Sequence, residues 1–411
     1  MNLAVSAPDR LVVRTVHIPD PGDLIARLPD PAALAWIRHG EGIVGWGQAA
    51  RLDLPPGSDR FTTADRWLRE LFATASIDDP LQAPGTGPVA FGGFAFDPAS
   101  PDSVLIVPRW ILGRRDGHAW LTTIGPDADP LDLLHPPRPT TRLTWSDGAL
   151  TATDWQRAVT TAVHHIRAGH LGKVVLARDL NAHATEPIDT RTLLRRLADR
   201  YPACYTFSCA GMVGATPELL IRRTGGTLES LVLAGTTARG TTPDDDADRA
   251  RRLLTSAKDR QEHAYAAEMV RDALTPLCAE LTVPERPELL TLPNVMHLAS
   301  AVHGRLDRDR SVLDVLAALH PTPAVCGTPT DTALHLIREL EGMDRGRYAG
   351  PVGWVDSRGD GEWGIALRCA QIDGTRARLF AGCGIVADSD PAAELAEAHN
   401  KFRVMKDALE G

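Results

Sequence analysis

The sequence predicts an α+β fold built on large antiparallel sheets, and three observations predict it. Strand runs follow one another as hairpins do, around Gly225-Gly226 and near 350–355, 363–372 and 377–386. Helical patterns stand apart from them, at 154–168, 244–280, 331–341 and from Pro391 onward. Strands therefore do not alternate singly with helices, as βαβ units would. No repeat of 20 to 50 residues is visible, which excludes solenoids and propellers.

Each element has a local cause. Residues 1–125 read as short strands broken by Gly and Pro, with one helix near Thr63–Ala75. Val89–Phe96 alternates like a strand around a glycine pair. Residues 126–140 are rich in proline and acid and read as a surface connector. Length alone allows two to three domains or one large one, and the connector divides an N-terminal part over 1–140 from a region over 150–411. Trp155, Val159, Ala162, Val163 and Ile166 recur at helical spacing, and Gly169 can end that helix. Lys173–Arg178 is a β-branched strand, and two more strands flank Gly225-Gly226. Residues 244–280 read as one long helix opened by acids, and 286–300 as strand and loop. His320–Gly327 is a proline-bracketed loop. Asp390 followed by Pro391 marks the start of a C-terminal helix.

Composition narrows the function. The 411 residues are 43% hydrophobic and 24% charged, which excludes a disordered tail, a collagen or a disulfide miniprotein. A net charge of -9 provides no basic field for nucleic acid or an anionic membrane. An anionic substrate therefore needs local cations or a metal. No signal-peptide pattern and no apolar run of membrane-spanning length appear, so a cytoplasmic location is expected. The six cysteines form no CxxC pair and are expected to be reduced and buried. Of 44 basic side chains only four are lysine: Lys173, Lys258, Lys401 and Lys406. Lysine can work as a neutral amine and arginine cannot, so these four are the first places to look.

Several constellations could carry chemistry. Glu394, Glu397 and Lys401 share one side of the C-terminal helix, beside Leu395, Ala398, Phe402 and Met405. Two carboxylates one turn apart can share a hard cation such as Mg²⁺; they can also form a solvated edge with a Glu394–Lys401 contact. Glu262 begins a stripe of Ala266, Met269, Ala273 and Leu277, with Asp259 one turn before it. A shared metal would give this acid a partner; a helix-terminal acid is the alternative. Lys173 and Glu218 both stand at strand edges, as a base and acid pair or as a structural ion pair. Ala234-Gly235-Thr236 and Ala381–Gly384 can offer backbone N–H groups to an anion, and Arg368 can grip a carboxylate. His164-His165 reads as a helix surface pair, and Asp244–Asp246 with Arg249, Arg251 and Arg252 as an exposed helix start.

Taken together, eight segments resemble the chorismate-utilising enzymes, which include isochorismate, salicylate, anthranilate and aminodeoxychorismate synthases. They are KVVLAR (173–178), GATPELL (214–220), LAGTTAR (233–239), AKDRQEH (257–263), Met296-His297, HPTPAVCG (320–327), RYAG with IALR (347–350, 365–368), and AGCGIV with ELAEAHNK (381–386, 394–401). The resemblance covers 90–411 and is strongest from 154. It implies one large domain with stacked antiparallel sheets and helices outside. It implies chorismate as substrate and Mg²⁺ as cofactor, held by Glu262, Glu394 and Glu397. Gly235, Thr236 and Lys401 would lie at the metal end. Tyr348, Arg368 and the Gly384 N–H would hold the enolpyruvyl carboxylate, and His297 would sit against the substrate. Lys173 matches the family's general base and Glu218 its general acid.

Within that family the water-adding enzymes have a lysine at the Lys173 position. Aminodeoxychorismate synthases have a nucleophilic lysine where this chain has Ala234. The resemblance thus implies water as nucleophile and isochorismate as product. Ala324 fits this, since salicylate synthases tend to have threonine there. Tyr348 is instead typical of the pyruvate-eliminating members, which keeps salicylate formation as the alternative. A catalytically dead chorismate-binding homologue is a third reading. A monomer is expected, because one chain supplies every motif.

Overall fold

The computed structural model describes residues 4–6, 10–125, 136–291 and 295–411. Most of the expected connector, 126–135, lies outside the described residues. Among the described residues the strands form one eleven-stranded and one thirteen-stranded sheet. Every pairing is antiparallel except that of Val12–His17 with Ser76–Asp78. Strands from before residue 125 run in both sheets. The sheets pack face to face through aromatic side chains. Trp36, in the larger sheet, is 1% exposed and donates its indole N–H to Glu362 of the smaller sheet at 2.9 Å. Gly364, also in the smaller sheet, stands against the same ring: a β-carbon there would lie 3.0 Å from it.

Helices cover the outer faces. Ala152–Arg167, Thr190–Arg200 and Pro391–Glu410 pack against the larger sheet. Pro243–Thr255, Ala257–Leu274 and Val312–Leu319 pack against the smaller one. Helix ends follow the sequence closely. Thr151 accepts from the Asp154 N–H, and Asp390 from the N–H groups of Ala392 and Ala393. The turn between Leu219–Thr224 and Thr227–Ala238 has Gly225 at φ +54 and Gly226 at φ +88. Two successive left-handed residues are what a tight hairpin needs, and glycine adopts them at least cost.

Two expectations are corrected. The helix read over 244–280 is broken at Ser256, whose ψ of 116 is extended. Its hydroxyl accepts from the Asp259 N–H, so one serine ends the first helix and caps the second. The second ends at Leu274, and Cys278–Thr282 is a strand. The strand read over 363–372 is also two. Gly361–Ile365 lies in the smaller sheet and Cys369–Asp373 in the larger.

That division matters because two of the places where the chain changes sheets lie side by side. At one it leaves the larger sheet at Thr216 and enters the smaller at Leu219; at the other it passes from the smaller to the larger between Ile365 and Cys369. The two crossings hold each other. The Ala215 N–H donates to the Arg368 carbonyl (3.2 Å) and the Ile365 N–H to the Glu218 carbonyl (3.3 Å). Arg368 sits at φ +49, a left-handed conformation that costs a non-glycine residue of order 1–3 kcal/mol.

The strand Lys173–Ala184 pairs along its length with Arg376–Ile385. On its other edge, among the described residues, strand partners exist only at Lys173–Val174 and from Leu180 onward. Between them the backbone is completed by other means. The Val175 N–H donates to the Cys326 carbonyl, and the Val175 carbonyl accepts from the Arg345 guanidinium (both 2.8 Å). The Ala177 N–H donates to the Glu341 carboxylate (2.7 Å), and its carbonyl accepts from the Trp155 indole (3.1 Å). Arg345 and Glu341 are buried against each other, and Arg345 also holds the Val325 carbonyl. A buried backbone group left unpaired is costly, so this ion pair does the work of a missing strand.

Candidate active site

Glu218 lies on the first crossing and Arg368 on the second, so the interlocked backbones place an acid beside a guanidinium. Burial raises the Glu218 carboxyl to about 7, while Arg368 and Lys173 pull it back toward ionisation. A carboxyl near 7 carries its proton at neutral pH in a large fraction of molecules, as a general acid must. Lys173 opens its strand opposite Thr328, close enough to Glu218 for its charge to be felt. Its side chain crosses Gly384 on the neighbouring strand: a β-carbon at Gly384 would lie 3.0 Å from Lys173 Cε and 3.5 Å from Nζ. A side chain at Gly384 would press on the lysine stem at Cε, while Nζ would be in ordinary contact.

The smaller sheet contributes the next group. Thr227–Ala238 and Val295–Leu306 pair with a register shift between Ala234 and Thr236. Gly235 occupies that bulge at φ +74, with Asp259 and Leu298 at 3.2 and 3.3 Å from where its β-carbon would be. The bulge sets Thr236 opposite His297, and Thr236 Oγ1 lies 2.9 Å from His297 Nδ1. His297 is 9% exposed, and its Nε2 has no hydrogen-bond partner among the described residues. Burial, reinforced by Arg368 and Lys401, lowers the imidazole to about 4. It is therefore a neutral ring with one unsatisfied nitrogen, available to a ligand.

The C-terminal helix brings the carboxylates. Carboxylate oxygens of Glu394 and Glu397 and the Cys383 sulfur all lie within 4.8 Å of one another. Glu394 accepts from Ser389 Oγ (2.7 Å). Burial works against ionisation of Glu397, but Lys401, with Arg368, holds it below the usual carboxylate range. Lys401 Nζ lies 2.6 Å from Glu397 and donates to the Gly382 carbonyl at 2.7 Å. The lysine contact is thus with Glu397, one turn away, and not the Glu394–Lys401 contact considered from the sequence. Burial pushes the Cys383 thiol up to about 12, so it stays protonated. The oxygen pair suits a hard divalent cation; the protonated thiol does not ligate one.

Tyr348 is buried, stacked on Phe380 with centroids 5.0 Å apart, and its hydroxyl lies 2.9 Å from where a Gly382 β-carbon would be. Burial raises that hydroxyl well above its ordinary value. Ala324 is half-buried in the loop whose next residues, Val325 and Cys326, are tied to the lysine strand. Glu262 lies in the helix Ala257–Leu274, and its side chain lies outside the described residues.

Charge couples Lys173, Glu218, Arg368, His297, Glu397 and Lys401 into one locality. Sequence reasoning missed Cys383, Ser389 and the Glu341–Arg345 pair. Cys383 was within a quoted motif, but thiols offer no signal of a neighbouring carboxylate. It also missed His263, 2% exposed, which bonds Ser300 Oγ and the Ala234 carbonyl.

A family model described as chorismate binding enzyme matches residues 30–130 and 131–410. The chain belongs to that family. Among its relatives in the family, isochorismate synthase MenF of Bacillus subtilis (strain 168) is 36% identical over 402 residues, covering 90% of this chain and 85% of the relative. Isochorismate synthase EntC of Escherichia coli (strain K12) is 35% identical over 373 residues, covering 87% and 90%. The solved structure of MenF, the menaquinone-specific isochorismate synthase of Escherichia coli, matches with a TM-score of 0.81 at 26% identity, over 100% of this chain and 96% of that one. The stacked sheets of this chain are therefore those of the chorismate binding enzymes. Among the described residues no helix is long and apolar enough to cross a membrane.

Proposed function

We propose that this chorismate binding enzyme is an isochorismate synthase, an isomerase that adds water at C2 of chorismate and releases the C4 hydroxyl. The observation that carries the reading is the facing pair: Lys173 at a strand start, and Glu218, raised to about 7 by burial, on the adjoining sheet crossing. Lys173, as the general base, takes a proton from water as its oxygen bonds to C2. The ring double bonds shift, and the C4–O bond breaks. Glu218 gives its proton to the departing hydroxyl, which leaves as water. One proton is taken up and one released, so the step balances without a redox cofactor. Arg368, Tyr348 and the Gly384 N–H would hold the enolpyruvyl carboxylate. His297, through its unsatisfied nitrogen, would contact the substrate beside Gly235 and Thr236.

Mg²⁺ fits the oxygen pair of Glu394 and Glu397, with Glu262 as the third member suggested by the family resemblance. When bound, it would supply positive charge that offsets a chorismate carboxylate in a protein of net charge -9. Glu397→Gln keeps size and helix propensity but removes one negative charge. It is expected to abolish most turnover at ordinary Mg²⁺ with an unchanged melting temperature. An unaltered kcat and Mg²⁺ dependence would remove Glu397 from the metal set.

Isochorismate is expected as the dominant product at neutral pH. The measurement is an NMR time course on chorismate with Mg²⁺ and no added lyase. Salicylate and pyruvate as main products would replace the reading with salicylate synthase. No turnover would favour a binding-only homologue.

A further inference from the structure

One buried guanidinium has no part in the proton transfers proposed above, yet it holds both segments that meet at Lys173. Arg345 is 3% exposed and Glu341 1% exposed. Arg345 Nη2 donates to the Val175 carbonyl at 2.8 Å, two residues along the strand from Lys173. Its Nη1 donates to the Val325 carbonyl at 2.9 Å. Glu341 accepts from Arg345 Nε at 2.9 Å and from the Ala177 N–H at 2.7 Å. The guanidinium also lies over the Phe96 ring, 4.1 Å from its centroid.

The two carbonyls matter because of what adjoins them. Cys326 follows Val325, and its carbonyl accepts from the Val175 N–H at 2.8 Å. Gly327 and Thr328 come next, the register partners of Val174 and Lys173. Arg345 thus fixes the base strand and the segment that pairs with it. Lys173, Val175 and Ala177 alternate along one strand, so their side chains share a face. That face looks onto the glycines of the neighbouring strand. Lys173 lies against Gly384, and Val175 and Ala177 lie 3.4 and 3.6 Å from where a Gly382 β-carbon would be. A rotation of the strand edge at Val175 would therefore swing the Lys173 side chain across Gly384.

Stability alone does not call for charges here. Well-packed apolar side chains in place of a buried ion pair are often neutral or stabilising. What they cannot do is aim the Val175 carbonyl and the Ala177 N–H at fixed points. We propose that Arg345, held by Glu341, is a positioning residue that sets Lys173 for proton abstraction; this rests on Lys173 being the general base. A lysine at 345 could still pair with Glu341, but one ammonium cannot reproduce the planar fork that spans both carbonyls.

The test is a double-mutant cycle on the full chain that joins Arg345→Lys with Lys173→Arg, assayed for chorismate turnover beside melting curves. Arg345→Lys alone is expected to lower kcat at least about tenfold and to leave KM for chorismate within about threefold. In the Lys173→Arg background it should cost no more than about twofold, because a residue that acts through Lys173 has nothing left to position. The same fold loss in both backgrounds overturns the proposal. So does parental kcat in Arg345→Lys when Lys173→Arg is inactive. Parental activity in Lys173→Arg overturns the base assignment, and this proposal with it. A second variant guards against misfolding of the first. Glu341→Leu with Arg345→Met keeps the packing apolar and should melt close to the parent, yet lose at least about tenfold in kcat. Parental kcat in that folded variant also overturns the positioning role.

Discussion

Lys173→Arg is expected to lose ~10²–10⁴-fold or more in kcat/KM for chorismate, the usual contribution of general-base assistance, while melting like the parent. Both side chains are long and cationic, so the strand and its pairing with Gly384 are not asked to change. What changes is chemistry. Lysine can present a neutral amine and a guanidinium cannot. If Lys173 served only as an ion-pair partner for Glu218, arginine would serve as well. This chain already uses arginine at 40 of its 44 basic positions. Activity within about threefold of the parent would refute the base assignment.

Glu218→Gln carries the second large effect, a further ~10²–10⁴-fold if proton donation is its work. Its pH signature separates it from a positional role. The reactive form is the protonated one, so with the carboxyl at about 7 the parent should lose kcat/KM as pH rises above neutrality. Glutamine has no proton to lose, so the residual activity should lack that descending limb. Stability has its own sign. The folded-state value is raised above the ordinary 4.5, so the folded protein holds the proton more tightly than the unfolded chain. Any stability from this is complete below the unfolded value and is lost as pH rises through about 7. Glu218→Gln should therefore melt no lower than the parent at pH 8, where the parent buries a charge. An identical descending limb in the variant would assign it to another group.

Much of the fold was legible because it is written locally. Thr151 and Asp390 cap their helices through their own side chains, and Gly225-Gly226 can make only a few kinds of turn. The candidate site was legible for a different reason: its residues recur in ordered motifs, and the fold brings Lys173, Glu218, His297, Arg368 and Glu397 to one place. What remained hidden depends on tertiary context. The run 363–372 is apolar apart from Arg368 and Gln371, and an apolar strand reads alike in either sheet, so the crossing at Arg368 is not marked by any turn signal. Helical periodicity continues past Ser256, so the break there shows only in its backbone. Glu341 and Arg345 are spaced like an exposed helix pair, yet they are 1% and 3% exposed and close a strand edge. Lys401 could have met Glu394 or Glu397 from spacing alone, and packing against Gly382 decides it.

If Glu218 and Lys173 are the acid and base proposed above, the paired crossings make the gap between the two sheets a ruler for proton transfer. The acid hangs from a chain segment anchored in both sheets, whereas the base rides on the larger sheet alone. Sliding or spreading one sheet relative to the other would therefore change the distance between them directly. Trp36 and Gly364 are among the contacts that fix that gap, and Gly364 also faces the Glu218 carbonyl, 2.6 Å from where its β-carbon would be. On that reading the spacing of base and acid depends partly on Trp36 and Gly364, which stand where the two sheets meet. A methyl group added at Gly364 would act as a shim, retuning the chemistry from inside the core.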